Sequence, residues 1–428
     1  MRAAASSAWN WWRGLPVTTK ILAGMGAGVL AGLAAGSRAE ALRPIGLVFI
    51  RLIGMVILPL VFASLALGIA SLGDARSVGR IGVKTLALYV LTTVAAIVVG
   101  LGLANVVRPG EWIDPGARER LLESVESPID PERIAELSER TDLGCLIVES
   151  VPRNVFESMA KGEMVPVIVF ALFFGVAIAA IGRERGGRVA DLLSSINDAA
   201  VWMVGAVMRL APLGVAALMA SVVGPIGLSV LRSLAVYAAV VLAGFLVHVL
   251  LIYSGLAWSL GRIGPVAFFR AVRPAMLVGF STSSSAVTLP TTMSCSRERL
   301  GVAPEVGSFT LPLGATINMD GTALYQAVAA LFVAQVYGVS LGPGEQATLV
   351  LTTTLASIGT AAVPGAGVVM LAMILGSVGL PAEGVGLILG VDRLLDMCRT
   401  AVNVTGDLAV TVVIARSEGK LRPPGDPA

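Results

Sequence analysis

Six long apolar stretches occupy the first 261 residues and limit what this chain can fold into. A helix that crosses a bilayer needs about 20 mostly apolar residues, and in lipid such a segment is helical because its backbone must satisfy its own hydrogen bonds. Hydrophobic residues make up 56% of the 428 residues and charged residues 14%, which excludes a water-soluble enzyme and a disordered protein. The sequence therefore predicts an all-α polytopic membrane protein, with spans at 18–36, 44–72, 82–108, 151–182, 195–224 and 228–261.

Basic residues at alternate span ends predict the orientation of the chain, because Lys and Arg are retained on the cytoplasmic side. With the N-terminus inside, the cytoplasmic groups are Arg2, Arg13 and Lys20, then Arg76, Arg80 and Lys84, then Arg183, Arg185 and Arg188, and then Arg262, Arg270 and Arg273. The C-terminus is cytoplasmic too if residues 264–416 cross a net even number of times. The acidic segment 110–145 then lies outside as a solvated loop.

The first span could be a signal peptide, but the five spans after it favour a retained helix.

The rest of the composition argues against several other functions. A net charge of +3 is too small for a nucleic-acid-binding protein. Three cysteines lie far apart without a CxxC pair, and there is one histidine, so neither a disulfide framework nor a transition-metal site is predicted. That histidine, His248, lies in an apolar span and is expected to be a hydrogen-bonded interior residue rather than a proton carrier.

Two re-entrant hairpins are predicted in the second half of the chain. Around the polar tip 281–285, two apolar arms that are too short to span flank a serine run. A serine-rich surface loop is the alternative, but it leaves the apolar arms unexplained. The segment 346–378 repeats this design around a tip over 357–367 that is rich in Gly and Pro. Irregular backbone survives at membrane depth only where protein lines a cavity, and two hairpin-and-helix units of opposite entry form an inverted repeat typical of secondary transporters.

Polar residues on the final helix predict a site inside the protein. Asp392, Asp396, Arg399, Thr400, Asn403 and Asp407 recur at steps of three and four and so share one face. A structural Asp396–Arg399 ion pair would explain two of them but not Asp407, nor Asp320 in the NMDGT segment of the preceding helix. Neither carboxylate has a basic residue within a helical turn. A bound cation would supply the missing charge, the nearby glycines would let the backbone unwind, and oxygen ligands favour an alkali or alkaline-earth ion.

Five motifs resemble the glutamate transporter family, the dicarboxylate/amino acid:cation symporters, in its prokaryotic acidic amino acid branch. They are ALYVLTTVAA, TSSSAVTLP, LPLGATINMDGTALYQ, LASIGTAAVPGAG and VDRLLDMCRTAVNVTGD. The likeness covers nearly the whole chain except the acidic loop and the two tails. It implies eight transmembrane helices with two re-entrant hairpins, a homotrimer in the inner membrane, an elevator-type movement, and no enzymatic activity.

The resemblance also implies positions for co-transported sodium and for substrate. One sodium site corresponds to Asp407 with backbone oxygens of Gly314, Asn318 and Asn403, a second to carbonyls of Thr316, Ser357, Ile358 and Thr360, and a third to Tyr89, Thr92, Thr93, Asn318 and Asp320. Arg399 corresponds to the arginine that binds the substrate side-chain carboxylate, and Asp396 to the residue that binds its amino group. The other substrate positions are Ser283, Ser284, Ser285, Thr322, Val363, Gly367, Thr400 and Asn403.

This sequence departs from the family in one respect that concerns charge. Family members often carry an additional arginine at the position of Ser283 or of Met397, and this chain has neither. The resemblance therefore leaves open which residues balance the charges around the substrate. Arg393 is expected on another helix face, with no role in substrate binding.

The implied architecture has two parts. Residues 1–81 and 146–226 form scaffold helices 1–2 and 4–5, separated by helix 3 (82–109) and the loop 110–145. Helix 3 joins 227–416 in a mobile unit of helix 6, hairpin 1 (about 267–297), helix 7 (about 302–338), hairpin 2 (about 346–378) and helix 8 (about 381–416), followed by a cytoplasmic tail, 417–428.

Sodium-driven uptake of aspartate or glutamate is the function these features favour, and several alternatives stay open. Proton coupling is the first, and a cargo of C4-dicarboxylates or neutral amino acids is the second. Asp396 argues against a dicarboxylate, which has no amino group, and Arg399 argues against a neutral amino acid. An intramembrane protease is disfavoured because GxGD and GxSG motifs are missing.

Overall fold

A computed structural model describes residues 17–70, 75–113, 116, 148, 151–161, 164–226, 229–358, 360 and 365–422. Within these residues the protein is helical, and the one β-type contact is an isolated bridge between Val302 and Leu421. The predicted loop 110–145 lies mostly outside the described residues, as do residue 359 and residues 361–364 in the predicted tip of the second hairpin. The all-α prediction is confirmed for the part of the chain that the structure describes.

The first three helices match the predicted spans closely. Helix α1 is Val17–Ala35 and α2 is Arg43–Ala70, and a 3-10 segment (Gly36–Leu42) connects them. Helix α3 is Ala75–Val107, so it begins seven residues before the predicted position 82. A short 3-10 turn, Pro109–Trp112, follows α3.

The predicted fourth span contains two described helices, and the predicted fifth span contains a bend. Helices α4 (Val155–Lys161) and α5 (Met164–Ala180) lie within the span 151–182, and the two residues between them are outside the described residues. Helices α6 (Gly182–Met208) and α7 (Ala211–Ile226) replace 195–224, and the chain bends by 54° between them. The predicted span over 195–224 is therefore present as two helices with a bend between them. Pro212 lies in the first turn of α7, where a proline starts a helix easily but cannot donate a hydrogen bond back to Met208.

The second half contains helices at the positions of both predicted hairpins. Helix α8 (Ser229–Val247) continues through a π-helical segment (His248–Tyr253) into a final turn (Ser254–Ser259). Helices α9 (Pro265–Thr282) and α10 (Ser285–Ser294) lie in the segment of the predicted first hairpin, and a π-helical turn (Cys295–Arg299) extends α10. Helices α11 (Pro304–Ile317) and α12 (Asp320–Tyr337) follow, so the helix predicted over 302–338 is broken at Asn318 and Met319. Helices α13 (Pro343–Ile358) and α14 (Ala366–Ser377) lie in the segment of the predicted second hairpin, and α15 (Val385–Ser417) ends the fold. The names first hairpin and second hairpin are kept for these two helix pairs.

Length and composition qualify four helical segments of the described residues as membrane spans: Thr19–Phe49, Arg80–Trp112, Leu231–Ser259 and Ala382–Ser417. Within their most apolar windows, 18% of residues are buried in the first span and 83% in the last. The last span is therefore interior and the first is peripheral. Every residue of α12 is buried beside it, so the polar groups of α12 and α15 lie inside the protein, as the insertion cost of membrane charges requires.

A charged cluster joins the end of α15 to the start of α3 on one side of the molecule. The Glu418 side chain is only 3% exposed and accepts hydrogen bonds from Lys84 (2.7 Å) and from Arg80. Next to it, the Ala303 amide donates to the Lys420 carbonyl at 3.0 Å and the Arg422 amide to the Gly301 carbonyl at 2.9 Å. These bonds tie the last residues of the described chain to the connection between hairpin 1 and α11.

Replacing Glu418 with Gln is expected to lower the Tm of the purified protein at neutral pH. Hydrogen bonds from Lys84 and Arg80 lower the pKa of Glu418 from its ordinary value of 4.5. A carboxylate with a lowered folded-state pKa stabilises the fold above its unfolded pKa, and this contribution is lost as the pH falls through the folded value. The Tm difference between wild type and variant should therefore be largest near pH 7 and should shrink below about pH 4.5.

The matched control for this prediction is Glu305→Gln. Glu305 pairs with Lys420 at 3.0 Å but its side chain is 59% exposed, so solvent screens the pair and its removal should change Tm little. A Tm loss in Glu418→Gln that is the same at pH 7 and pH 4 would show that charge plays no part.

Candidate transport site

The buried polar groups converge where α11 and α12 are interrupted. Asn318 and Met319 leave the helical conformation, and the Asn403 side chain from α15 accepts a hydrogen bond from the Gly321 amide at 2.8 Å. The Asn403 Nδ2 donates to Thr322 Oγ1 at 3.2 Å. A break in a buried helix exposes backbone groups that need partners, and Asn403 supplies them. Because Asn403 lies on α15, it also connects the break to the other polar residues of that helix.

The Asp320 carboxylate is fully buried and has partners from two other helices. Thr93 on α3 donates to Oδ1 at 2.6 Å, and Tyr253 donates to Oδ2 at 2.8 Å. The His248 Nε2 lies 3.4 Å from the same Oδ2. His248 is buried as predicted. Its Nδ1 has no hydrogen-bond partner in the described structure, so the prediction of a hydrogen-bonded interior residue holds for Nε2 but not for Nδ1. Asp320 has no basic residue within a helical turn, but the His248 side chain reaches it from another helix.

The π-helical segment of α8 brings His248 and Tyr253 to one carboxylate. In an α-helix, residues five apart point about 140° away from each other, because each residue turns the helix by about 100°. A π-helical turn closes between residues i and i+5, and here it places both side chains on the side of Asp320. Tyr253 could not be predicted from the sequence for this reason, since no α-helical spacing connects it with His248.

The Asp407 carboxylate forms a second buried centre. Asn318 Nδ2 donates to Asp407 Oδ1 at 3.0 Å, and Thr92 Oγ1 donates to Asn318 Oδ1 at 3.2 Å. The Gly314 backbone runs directly past it, because a Cβ at residue 314 would lie 2.5 Å from Asp407 Oδ1 and 2.6 Å from the Tyr89 hydroxyl. Only glycine allows this approach. Tyr89 itself donates to the Thr310 carbonyl at 2.9 Å.

Two of the predicted sodium sets therefore meet in one oxygen-rich region. The predicted unwinding of the backbone, however, was wrong for one of them. The set around Asp407 and the set around Asp320 share Asn318. However, α15 stays helical through residues 403–407, so the backbone there does not unwind as its glycine suggested. The unwinding is confined to Asn318 and Met319.

The remaining sodium set is less closely connected in this structure. Ser357 and Thr360 are buried, and their hydroxyls donate to the Thr354 and Ala356 carbonyls of α13. Thr316 donates to the Leu313 carbonyl at 3.0 Å. Within the described residues, no hydrogen bond joins Thr316 to the helix that ends at Ile358. Residue 359 and residues 361–364, including the predicted substrate position Val363, lie outside the described residues.

The Arg399 guanidinium lies in the centre of the buried face of α15. Its Nη2 donates to Asp396 Oδ1, and its Nη1 lies 3.9 Å from Asp392 Oδ1 without a hydrogen bond. The guanidinium stacks over the Tyr325 ring at 4.6 Å from its centre. A Cβ at Gly367 would lie 2.2 Å from Nη1, so the second hairpin approaches the guanidinium with a bare backbone. The Gly365 amide donates to Asp396 Oδ2 at 3.3 Å.

The turn of the first hairpin contributes buried serines. Ser283 has a left-handed backbone (φ 51°), and its buried hydroxyl has no hydrogen-bond partner in the described structure. Ser284 caps α10 and accepts from the Val287 amide at 3.3 Å, while Ser285 begins that helix and is buried. A Cβ at Gly279 would lie 3.5 Å from the Thr400 carbonyl oxygen, so the end of α9 packs on α15. Thr400 donates to the Asp396 carbonyl oxygen at 3.0 Å.

The observed contact of Arg393 differs from the prediction. Its Nη1 lies 2.9 Å from Asp396 Oδ2, so it contacts the predicted substrate residue instead of pointing away from it. Residues three apart on a helix are neighbours, and this spacing could have indicated the contact. Gln326, also missed, donates from Nε2 to the Gly367 carbonyl at 3.3 Å and joins α12 to the second hairpin.

The arrangement provides two chemically different regions along α15. Toward its C-terminal half, Asp407 and Asp320 lie among hydroxyl, amide and backbone oxygens, which suits a hard cation. Toward its N-terminal half, a planar guanidinium and a carboxylate lie side by side, which suits a ligand with both a carboxylate and an ammonium group. Asn403 and Thr400 lie between the two regions.

The sequence matches the family described as "Sodium:dicarboxylate symporter family" over residues 17–417. The chain belongs to this family. The family match confirms the predicted relationship, and it makes the chain a transporter and not an enzyme.

The relatives within the symporter family carry different substrates. The chain is 36% identical over 382 residues to the proton/sodium-glutamate symport protein of Bacillus caldotenax, a match that covers 89% of both chains. It is 38% identical over 380 residues to the proton/glutamate-aspartate symporter of Escherichia coli (strain K12), covering 89% of this chain and 86% of the relative. It is 32% identical over 416 residues to a C4-dicarboxylate transport protein of Bacillus subtilis (strain 168), covering 94% of both. These matches support a symporter of acidic amino acids or dicarboxylates.

Proposed function

We propose that this protein is a sodium-coupled symporter that imports aspartate and glutamate across a bacterial or archaeal cytoplasmic membrane. The observation that carries the proposal is the adjacency of Arg399 and Asp396 on the buried face of α15. An acidic amino acid has a side-chain carboxylate for the first and an ammonium group for the second. In the structure the two side chains pair with each other, so substrate binding exchanges one internal ion pair for two new pairs.

Sodium is the proposed coupling ion because the second region is built from oxygen atoms that a proton does not need. Thr92, Asn318 and Asp407 form one connected set, and Thr93 and Asp320 form another beside it. Asp320 and Asp407 are both buried and both hydrogen-bonded to these groups, and bound sodium ions would balance their charges. Cations bound there and substrate bound at Arg399 share α15, which gives a physical route for coupling.

Alternating access would follow from the two-part architecture predicted from the sequence. In the proposal, α1, α2 and α4–α7 form the scaffold, while α3, α8, α11, α12, α15 and both hairpins move together with the bound substrate. The second hairpin is the proposed gate because it approaches Arg399 through Gly367. Each protomer of a homotrimer would contain its own site, and both termini would be cytoplasmic.

Proton coupling is the second candidate function, and one observation favours it. His248 Nε2 faces Asp320 at 3.4 Å in a buried position, and a proton shared there would balance one carboxylate. The name of the Bacillus caldotenax relative gives both proton and sodium, and that of the Escherichia coli relative gives the proton. A test of the ion must therefore separate the two gradients.

The decisive experiment is uptake of labelled aspartate into proteoliposomes with either a sodium or a proton gradient imposed alone. Accumulation on the sodium gradient, with little on the proton gradient, is expected. Unlabelled glutamate should compete strongly, and succinate and serine should compete weakly. Full accumulation on a proton gradient without sodium would refute sodium coupling, and stronger competition by succinate than by glutamate would refute the amino acid cargo.

A further inference from the structure

Asp396 is held by two arginines of its own helix. Arg399 binds Oδ1, and Arg393 binds Oδ2 at 2.9 Å. The Gly365 amide adds a third donor at 3.3 Å. Both oxygens of the carboxylate therefore have partners from the protein before any substrate arrives. A substrate carboxylate would compete with Asp396 for Arg399. It would not compete with Asp396 for Arg393.

The four charges on this part of α15 cancel. Asp392 and Asp396 supply two negative charges, and Arg393 and Arg399 supply two positive ones. Their side chains are 7%, 4%, 14% and 3% exposed respectively. Ser283 and Met397, where family members often have the additional arginine, are uncharged here. Arg393 thus restores the balance that the sequence analysis left open, from a position one helical turn before Asp396.

Arg393 also lies where the proposed moving unit meets the scaffold. A small cavity is lined on one side by Ile21, Ala211 and Val215 of α1 and α7, and on the other by Arg393, Asp396 and Gly365. The scaffold side of this boundary is apolar. A charge that moves past apolar side chains without a partner is strongly disfavoured, so each charge at this boundary needs a partner within the moving unit.

We propose that Arg393 is a positioning residue that neutralises Asp396 while the substrate site is empty, and that the unloaded unit needs it in order to return. This inference rests on the proposed symport function. In the loaded unit the substrate ammonium lies beside Asp396 and takes the place of Arg393 at this carboxylate. In the empty unit without Arg393, Arg399 alone would face Asp392 and Asp396, and this cluster would carry an unbalanced negative charge.

The test compares net uptake with exchange in proteoliposomes containing the Arg393→Ala variant. Net uptake needs the empty unit to return, whereas exchange of external labelled aspartate for internal unlabelled aspartate, with sodium on both sides, needs only the loaded unit. We expect net uptake to fall by about tenfold or more, because an unbalanced charge must then cross the membrane interior. Exchange should stay within about twofold of wild type, since the substrate ammonium replaces the lost partner.

Arg393→Lys is the matched control, because it keeps the charge and should restore most of the net uptake. Retained exchange in Arg393→Ala shows at the same time that the variant is folded and binds substrate. Equal losses of exchange and net uptake, or no loss of either, would overturn the inference. Absence of both activities in the wild-type protein would instead contradict the proposed function, so the two failures are distinguishable.

Discussion

Replacing Arg399 with Cys is expected to lower aspartate and glutamate uptake by about 30-fold or more, because truncating one partner of a buried, hydrogen-bonded charge pair costs about 2–5 kcal/mol. The guanidinium is 3% exposed, and Tyr325, Asp396 and Gly367 surround it. Removing it leaves a cavity beside Asp396, where an amino acid without a second carboxylate can still place its ammonium group. Uptake of serine is therefore expected to appear, and initial rates with labelled aspartate and serine measure both changes.

Two further variants make this prediction specific. Arg399→Lys keeps the charge but loses the planar two-pronged donor, so it should also be severely impaired. Arg270→Cys removes an exposed arginine of α9 and should transport aspartate normally. Unchanged aspartate affinity in the Arg399→Cys protein would remove Arg399 from the substrate site.

Replacing Asp407 with Asn is expected to weaken sodium and aspartate binding together, each by about tenfold or more, because linked binding equilibria change reciprocally. Asn has almost the same shape as Asp, so the packing around Gly314 and Asn318 stays the same while the charge is lost. Aspartate affinity measured over a range of sodium concentrations reports both effects. The dependence of affinity on sodium should become less steep.

Asp191→Asn is a suitable comparison because Asp191 is an exposed acid of α6, and it should leave both affinities unchanged. If Asp407→Asn weakened aspartate binding but kept the wild-type sodium dependence, Asp407 would have a structural role only. Loss of both affinities with an unaltered elution volume on gel filtration would exclude simple unfolding as the cause.

Regular helices were predictable from apolar length, whereas their interruptions were predictable only in part. Helices α1 and α2 begin and end within two residues of the predicted spans, because lipid leaves the backbone no alternative to helix. The break after Ile317 agrees with the polar segment that suggested unwinding. The bend after Met208 was missed because Pro212 was treated as part of one apolar stretch. At Gly406 the opposite error occurred. Unwinding was predicted there, whereas α15 is packed tightly enough to stay helical.

The candidate site shows the same limit at the level of single side chains. Asp396, Arg399 and Asp407 could be grouped from their spacing on one helix. Contacts between helices could not be found in this way, and so His248 and Tyr253 were not connected with Asp320. Arg393 was assigned to the wrong face because the reach of a long side chain was neglected. Its guanidinium contacts Asp396 across one helical turn.

The π-helical segment of α8 keeps two halves of one helix in phase. Removing a single residue from 248–253 would return the segment to an α-helix and turn everything beyond it by about 100°, with a shift of about 1.5 Å along the axis. His248 and Tyr253 could then no longer face Asp320 at the same time. A change in length at this point, rather than a change of residue type, would thus separate the oxygen-rich centre from one of its two aromatic neighbours.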